Sequence, residues 1–147
     1  MPELDFVGEV DGEIIANIMC AKSKIARPDG DKLAILTFGP VSVKPEWHGR
    51  RFGAEIIRHS LDCARDLDYG AVIIVGHPQY YPRFGFKPAN GYGLTMPDGG
   101  TFAAFMALEL KRGYLGAAGG KWHADKVFEI NITAFSEWNK VFQARRK

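Results

Sequence analysis

Between Val41 and Ala54 the chain reads Val41-Ser42-Val43-Lys44-Pro45-Glu46-Trp47-His48-Gly49-Arg50-Arg51-Phe52-Gly53-Ala54. A strand-like stretch leads into a glycine-bearing loop, and the loop opens a helix. The first turn of a helix has backbone N–H groups without partners and the positive end of the dipole. Gly49 and Gly53 lack a Cβ, so a bulky anion can approach the backbone closely. This is chemistry for cradling a phosphate or diphosphate. No Gly-Lys-Ser/Thr follows, and the spacing is not Gly-x-Gly-x-x-Gly, so neither common nucleotide loop is present. An ordinary tight turn is the competing reading, and these residues alone leave it open. A second cluster, His77-Pro78-Gln79-Tyr80-Tyr81-Pro82-Arg83-Phe84-Gly85-Phe86, holds phenols beside an imidazole. A phenol with a pKa of about 10 can act as a general acid. Core aromatics with surface hydroxyls are the alternative, and His77, before a proline, more simply shapes the turn. Cys20 and Cys63 have no Cys-x-x-Cys spacing, and His48, His59, His77 and His123 have no metal-ligand spacing. No metal site and no disulfide are expected.

The elements that must position these groups are readable from pattern. Phe6 to Val10, Asp11-Gly12 and Glu13 to Ala21 predict a hairpin, with Asp-Gly suited to a type I′ turn. The second strand is expected to end near Lys22-Ser23, before a turn at Arg27-Pro28-Asp29-Gly30-Asp31. A third strand, Leu33 to Val43, is interrupted at Gly39-Pro40, which predicts a bulge or a splayed edge. The helix is expected from about Arg51 to Leu67. Ala54, Ile57, Leu61 and Ala64 form its apolar stripe, and Glu55, Arg58, Asp62 and Arg65 its wet face. His59 is read as solvated, and Arg58 is open to an ion pair with Asp62 or to a ligand phosphate. Ala71 to Val75 reads as a strand buried on both faces, parallel to the third. A short helix from about Pro78 closes at Gly85, and Phe86 can start another strand. Thr101–Leu110 reads as a strand, Lys111–Lys126 as loop and Val127–Ile132 as a further strand. A terminal helix capped by Thr133 carries Phe135, Trp138, Val141 and Phe142 on one face, with Arg145-Arg146-Lys147 at its end.

Length and charge set the outer bounds. The 147 residues fit a single domain, and 46% hydrophobic with 24% charged residues is the balance of a globular chain. Net charge is +2, from 19 Lys and Arg against 17 Asp and Glu, which argues against a dedicated nucleic-acid binder using Arg50, Arg51 and Arg58. No apolar run approaches a membrane span, and the start Met1-Pro2-Glu3-Leu4-Asp5 has no leader character, so a cytoplasmic protein is expected. The hairpin edge at Phe6–Val10 makes a homodimer conceivable.

In combination the motifs resemble the GCN5-related N-acetyltransferase superfamily. Its pyrophosphate signature, Arg/Gln-x-x-Gly-x-Gly/Ala, aligns with His48-Gly49-Arg50-Arg51-Phe52-Gly53. Val41 to Pro45 is similar to the preceding strand end. Tyr81-Pro82-Arg83-Phe84-Gly85-Phe86 is similar to the second signature, Tyr-x-x-x-Gly-Phe, and the longer string from His77 to Phe86 resembles one bacterial subgroup. Two departures stand out: His48 replaces the first Arg/Gln, and Arg51 replaces the middle glycine. The resemblance implies an α+β fold whose mixed, mostly antiparallel sheet is split at the acetyl-CoA site between the Val41 and Ala71 strands. It implies acetyl-CoA as co-substrate and a small-molecule or peptide amine as acceptor, with direct attack on the thioester. Val41, Ser42, Val43, His48, Gly49, Arg50, Arg51, Phe52, Gly53 and Ala54 would hold the cofactor. The amide near Val43 would face the developing oxyanion, and Tyr81 would be the acid, with Tyr80 as its rival. The family's usual first strand and two helices have no counterpart before the hairpin. A non-catalytic acyl-CoA-binding or regulatory module is the alternative that this suggests.

Overall fold

A computed structural model describes residues 1–128 and 132–143. Hairpin strands β1 (Phe6–Val10) and β2 (Glu13–Ala26) meet at Asp11 and Gly12, whose φ values of 50° and 82° fit the expected turn. β2 runs beyond the expected end at Lys22-Ser23, because its second half pairs on both edges, with β3 (Lys32–Val43) and with β8 (Gly120–His123). Helix α1 spans Phe52–Asp66 and leads to β4 (Ala71–Val75). Two short strands, β5 (Lys87–Pro88) and β6 (Leu94–Thr95), precede β7 (Phe105–Glu109). The described strands form one eight-stranded sheet in the order β5-β7-β4-β3-β2-β8-β6, with β1 also on β2. Only β3–β4 and β6–β8 are parallel. This is the mixed, mostly antiparallel sheet that the sequence predicts.

Each face of the sheet carries a core, and β4 supplies both. Val72 and Ile74 pack with Ile18, Leu36, Phe38, Ile57 and Leu61 on the α1 side. Ala71 and Ile73 pack with Ile25, Ile35, Phe105 and Trp122 on the other. Alternation along an extended chain sends successive side chains to opposite faces, so a continuously apolar strand must be buried twice. On α1 the buried side is Ile56, Ile57, Ser60, Leu61 and Ala64. Ser60 is the polar exception; its Oγ lies 3.4 Å from the buried Cys20 Sγ.

Two features of β3 create the site. The register with β2 passes from Ile18↔Val41 to Cys20↔Phe38, so Gly39-Pro40 places one extra residue opposite Met19: the predicted bulge. The parallel pairing with β4 covers only Leu36↔Val72 and Thr37↔Ile73. Beyond Thr37 the two strands part, and the sheet is split where Val41–Val43 run on.

Several expectations are corrected. The helix expected from Pro78 is a 3₁₀ turn, Tyr81–Phe84, closed by Gly85 with φ 94°. The strand expected over Thr101–Leu110 begins only at Phe105. The segment Lys111–Lys126, expected as loop, contains β8. Its glycines allow close approach rather than looping: a Cβ on Gly120 would stand 2.7 Å from the Ala26 carbonyl oxygen, and one on Gly119 2.6 Å from that of Gly93. Of the expected strand Val127–Ile132, Val127 and Phe128 belong to a 3₁₀ turn instead, because the Asp125 carboxylate accepts the Val127 N–H at 2.8 Å, and residues 129–131 lie outside the described residues. Helix α2 (Ile132–Gln143) starts before Thr133, which is therefore inside it and not its cap. Phe135 and Trp138 are exposed. The Val141 and Phe142 side chains and the basic end Arg145-Arg146-Lys147 lie outside the described residues. Among those described, no helix is long and apolar enough to cross a membrane.

Candidate active site

The loop after β3 folds back on that strand. Its Pro45–Trp47 segment is a 3₁₀ turn, and the next residue, His48, places its Nε2 2.8 Å from the Val43 carbonyl oxygen. Gly49 then takes φ 75° and Arg51 takes φ 69°, both left-handed, before α1 begins. Such alternation turns successive N–H groups toward one concavity. Arg51 is the N-cap, and no side chain caps the helix. Ala54 and Glu55 donate their amides to the Arg51 carbonyl at 2.9 and 3.0 Å. The amides of Gly49, Arg50, Arg51, Phe52 and Gly53 donate to no acceptor among the described residues.

Of these residues, Gly49, Arg51, Phe52 and Gly53 border a cleft of about 410 Å³. Of the predicted cofactor-binding residues, Val43, His48, Gly49, Arg51, Phe52, Gly53 and Ala54 line it. Val41, Ser42 and Arg50 do not. Val41 packs on the core, the Ser42 hydroxyl bonds the Asn17 amide oxygen, and Arg50 lies 4.9 Å over the Trp47 ring. Trp47 both lines the cleft and packs edge-on against Phe52 at 5.2 Å. Arg83, which sequence reasoning passed over, also lines it. Its guanidinium stacks 4.3 Å over Tyr80, and its Nε donates to the Tyr80 carbonyl at 2.9 Å. Its position three residues after Tyr80 in a tight turn was the available signal.

The tyrosines divide. Tyr80 lines the cleft, with its hydroxyl 3.7 Å from where a Cβ on Gly53 would stand. Tyr81 does not line it. Its ring lies against Gly76 at the end of β4 and packs with Phe38 of β3 (6.0 Å) and Phe86 (5.8 Å), spanning the two strands where they part. Burial, and then the neighbouring Tyr80, raise the Tyr81 phenol above its ordinary pKa of 10, so it stays protonated at neutral pH.

No family model matches the chain. Sequence relatives include the uncharacterized N-acetyltransferases YjhQ and YhbS of Escherichia coli, at 28% identity over 90 residues and 26% over 100. Those matches take in 61% and 68% of this chain, but only 49% and 58% of the relatives, so the chain spans about half their length. The YhbS crystal structure, solved with CoA, superposes with a TM-score of 0.76 at 25% identity over 85% of this chain and 68% of that one. A GNAT family acetyltransferase from Brucella melitensis, solved with acetyl-CoA, gives 0.65 at 26% over 84% and 66%. These likenesses, in sequence and in fold, support assignment to the GCN5-related N-acetyltransferase superfamily.

Other polar residues near the cleft and along α1 have structural partners. Arg58 pairs with Glu55 at 2.8 Å, and Asp62 pairs with Arg65 at 2.7 Å; the considered Arg58–Asp62 pair does not form. His59, read as solvated, stays exposed but meets the Phe6 ring edge at 4.7 Å and Cys63 Sγ at 3.6 Å. His77 does shape its turn: its carbonyl accepts the amides of Tyr80 and Tyr81, at 3.0 and 3.3 Å. Among the described residues no cluster of His, Cys, Asp and Glu could hold a metal ion.

Proposed function

We propose that this protein is an acetyl-CoA-dependent N-acetyltransferase that moves the acetyl group to a primary amine by direct attack. The observation that carries this is the run of unpartnered amides from Gly49 to Gly53 at the head of α1, beside the split in the sheet. Those donors suit a diphosphate. Arg51 and Arg83 add positive charge at the same cleft. The solved relatives bound to CoA and acetyl-CoA have this fold.

The open edge of β3 at Val41–Val43 suits the pantetheine arm, which can pair there as an added strand. The thioester would then lie in the split near Tyr81. The amine nitrogen attacks the carbonyl carbon, the C–S bond breaks, and the Tyr81 hydroxyl gives its proton to the sulfur. The amine sheds its own proton to water. A phenol kept protonated by burial is suited to that step. Two free thiols, at Cys20 and Cys63, suit the cytoplasm.

A second reading is a module that binds acyl-CoA without turnover, which the same amides and cleft would serve equally well. Thermal shift with CoA and acetyl-CoA tests the common part, because a ligand bound only by the folded state raises the melting point. Thiol release with an amine panel then separates the two. Binding with no release, in both wild type and Tyr81→Phe, would leave the module reading alone standing.

A further inference from the structure

The half of the sheet made by β8, β2 and β3 carries an exposed face of one charge. Along β2, Ser23 and Ile25 are buried, while Lys22 and Lys24 between them are exposed. The neighbouring strands alternate in step: Ile35 and Trp122 are buried with Ile25, and Lys32, Ala34 and Lys121 are exposed. Residues paired across strands share a face. The register therefore sets Lys121, Ala26 and Lys32 in one row, and His123, Lys24 and Ala34 in the next. Lys22 stands one step further along β2, opposite Leu36. Lys22, Lys24, His123 and Lys126 line a shallow cleft of about 360 Å³ on this face. With strands ~4.8 Å apart and alternate residues ~6.8 Å apart along each, Lys22, Lys24, Lys32 and Lys121 share an area of about 10 by 14 Å.

Among the described residues, Lys22, Lys24, Lys32, Lys121 and Lys126 make no ion pair, whereas Lys44, Lys111 and Lys140 each meet a carboxylate. Asp125 lines the shallow cleft and accepts the Val127 N–H. Asp29 and Asp31 stand in the turn before β3, where Asp29 accepts the Asp31 N–H at 3.0 Å. Lys22 and Asp125 also border a second cleft, of about 520 Å³, at the β3 bulge. Like charges side by side on a sheet destabilise it, so a polyanion laid on this face relieves a repulsion that the fold carries. The net charge of +2 does not reveal this, because the lysines come from strands far apart in sequence.

The chemistry of the face selects the polyanion. Exposed lysine–carboxylate pairs contribute little in water, so an acidic peptide gains little here. A nucleic-acid backbone differs, because each phosphate neutralised releases condensed counterions, and exposed lysines suffice for that. A duplex carries one charge per ~1.7 Å of axis, so about eight phosphates fall along ~14 Å. Lysine is a point charge on a flexible stem, suited to a phosphate within reach and not to the fixed fork of a base edge. No Phe, Tyr or Trp stands in these rows for an unpaired base to stack on. Between the lysines are only Ala26, Ala34 and His123, so no bulky apolar group is there to enter a lipid layer. We infer that this face binds duplex nucleic acid through its phosphates, without reading sequence.

The test is binding of labelled DNA and RNA duplexes of about 20 base pairs by the full chain, from about 50 to 200 mM salt. With most or all of the five lysines engaged, log affinity should fall against log salt with a slope of about −3 to −4.5. The double variant Lys22→Gln/Lys24→Gln should flatten that slope by about 2. It should melt no lower than wild type, since it relieves repulsion, and should keep the acetyl-CoA thermal shift. Lys111→Gln, at a lysine already paired with Asp68, should leave the slope unchanged. Either duplex binding in this way supports the inference, and the tighter one identifies the source of the phosphates. A slope flatter than about −2, an unchanged slope in the double variant, or an equal loss in Lys111→Gln would overturn it. So would tighter binding to polyglutamate, which would point to an acidic protein, or to phosphatidylserine vesicles, which would point to a membrane.

Discussion

The two clefts are built differently. The cleft at the head of α1 draws mainly on one stretch, Val43 to Ala54, with Tyr80 and Arg83 brought to it. The cleft at the bulge draws on β2, on Gly39-Pro40 and on Asp125, Val127 and Phe128. The first presents backbone: left-handed turns at Gly49 and Arg51 and an uncapped helix start. The second presents side chains from separate elements. Backbone sites depend on local conformation, so they answer to substitutions that change φ. Side-chain sites answer to size and polarity at each wall.

The largest expected effect sharpens the division between binding and chemistry. Tyr81→Phe should lower kcat by about 10²–10⁴-fold and leave acetyl-CoA binding intact, because Tyr81 does not line the cleft at the head of α1. The acid works while protonated, so activity should fall as pH rises through its pKa. That limb should lie above the ordinary phenol value, since burial raises it, and it should vanish in the variant. A pH profile of thiol release checks both, and an unchanged basic limb in Tyr81→Phe would remove Tyr81 from the acid role.

Gly49→Val should come next. Space is not the obstacle, since nothing stands within 4 Å of the Cβ position; φ 75° is. A β-branched residue there costs about 1–3 kcal/mol, so the loop should shift and acetyl-CoA affinity should drop roughly tenfold or more. Calorimetric titration would show it. Retained affinity would mean that the loop amides do not hold the diphosphate.

Arg51→Gly probes the same backbone in the other direction. Its left-handed N-cap costs roughly 1–2 kcal/mol in a residue with a Cβ. The variant should therefore melt higher, with weaker salt dependence of acetyl-CoA binding because one cation is gone. A lower melting point would show that the Arg51 side chain holds the turn.

Asp5→Asn addresses the other cleft with the smallest effect. The Asp5 carboxylate accepts the amide of Cys20 at 2.9 Å, and Cys20 lines that cleft. Burial opposes ionisation of Asp5, but the Cys20 N–H and the Met1 ammonium outweigh it, and its pKa is lowered. A lowered folded pKa stabilises above the unfolded value of about 3.9, and the gain is lost as pH falls through the folded value. The melting-point gap between wild type and Asp5→Asn should be steady above pH 5 and close below pH ~4. A gap independent of pH would assign it to packing.

Sequence by itself determined the contiguous parts of this protein. The Asp11-Gly12 turn, the bulge at Gly39-Pro40, the α1 stripe and the doubly buried β4 follow from φ preferences and hydrophobic period, which act over a few residues. The loop from His48 to Gly53 was legible for the same reason, since its conformation and its unpaired amides are local. Tertiary structure decided the rest. Gly119-Gly120 reads as loop until Ala26 and Gly93 press against it. Val127 is the exception: the carboxylate that takes its amide belongs to Asp125, two residues before it, so that turn was a local signal passed over. Tyr80 and Tyr81 are equal in sequence, and only packing puts one ring in the cleft and the other across the parting strands. Contacts between residues far apart in the chain leave no periodic trace, so which side chains share a cleft emerges only when the sheet closes on both cores.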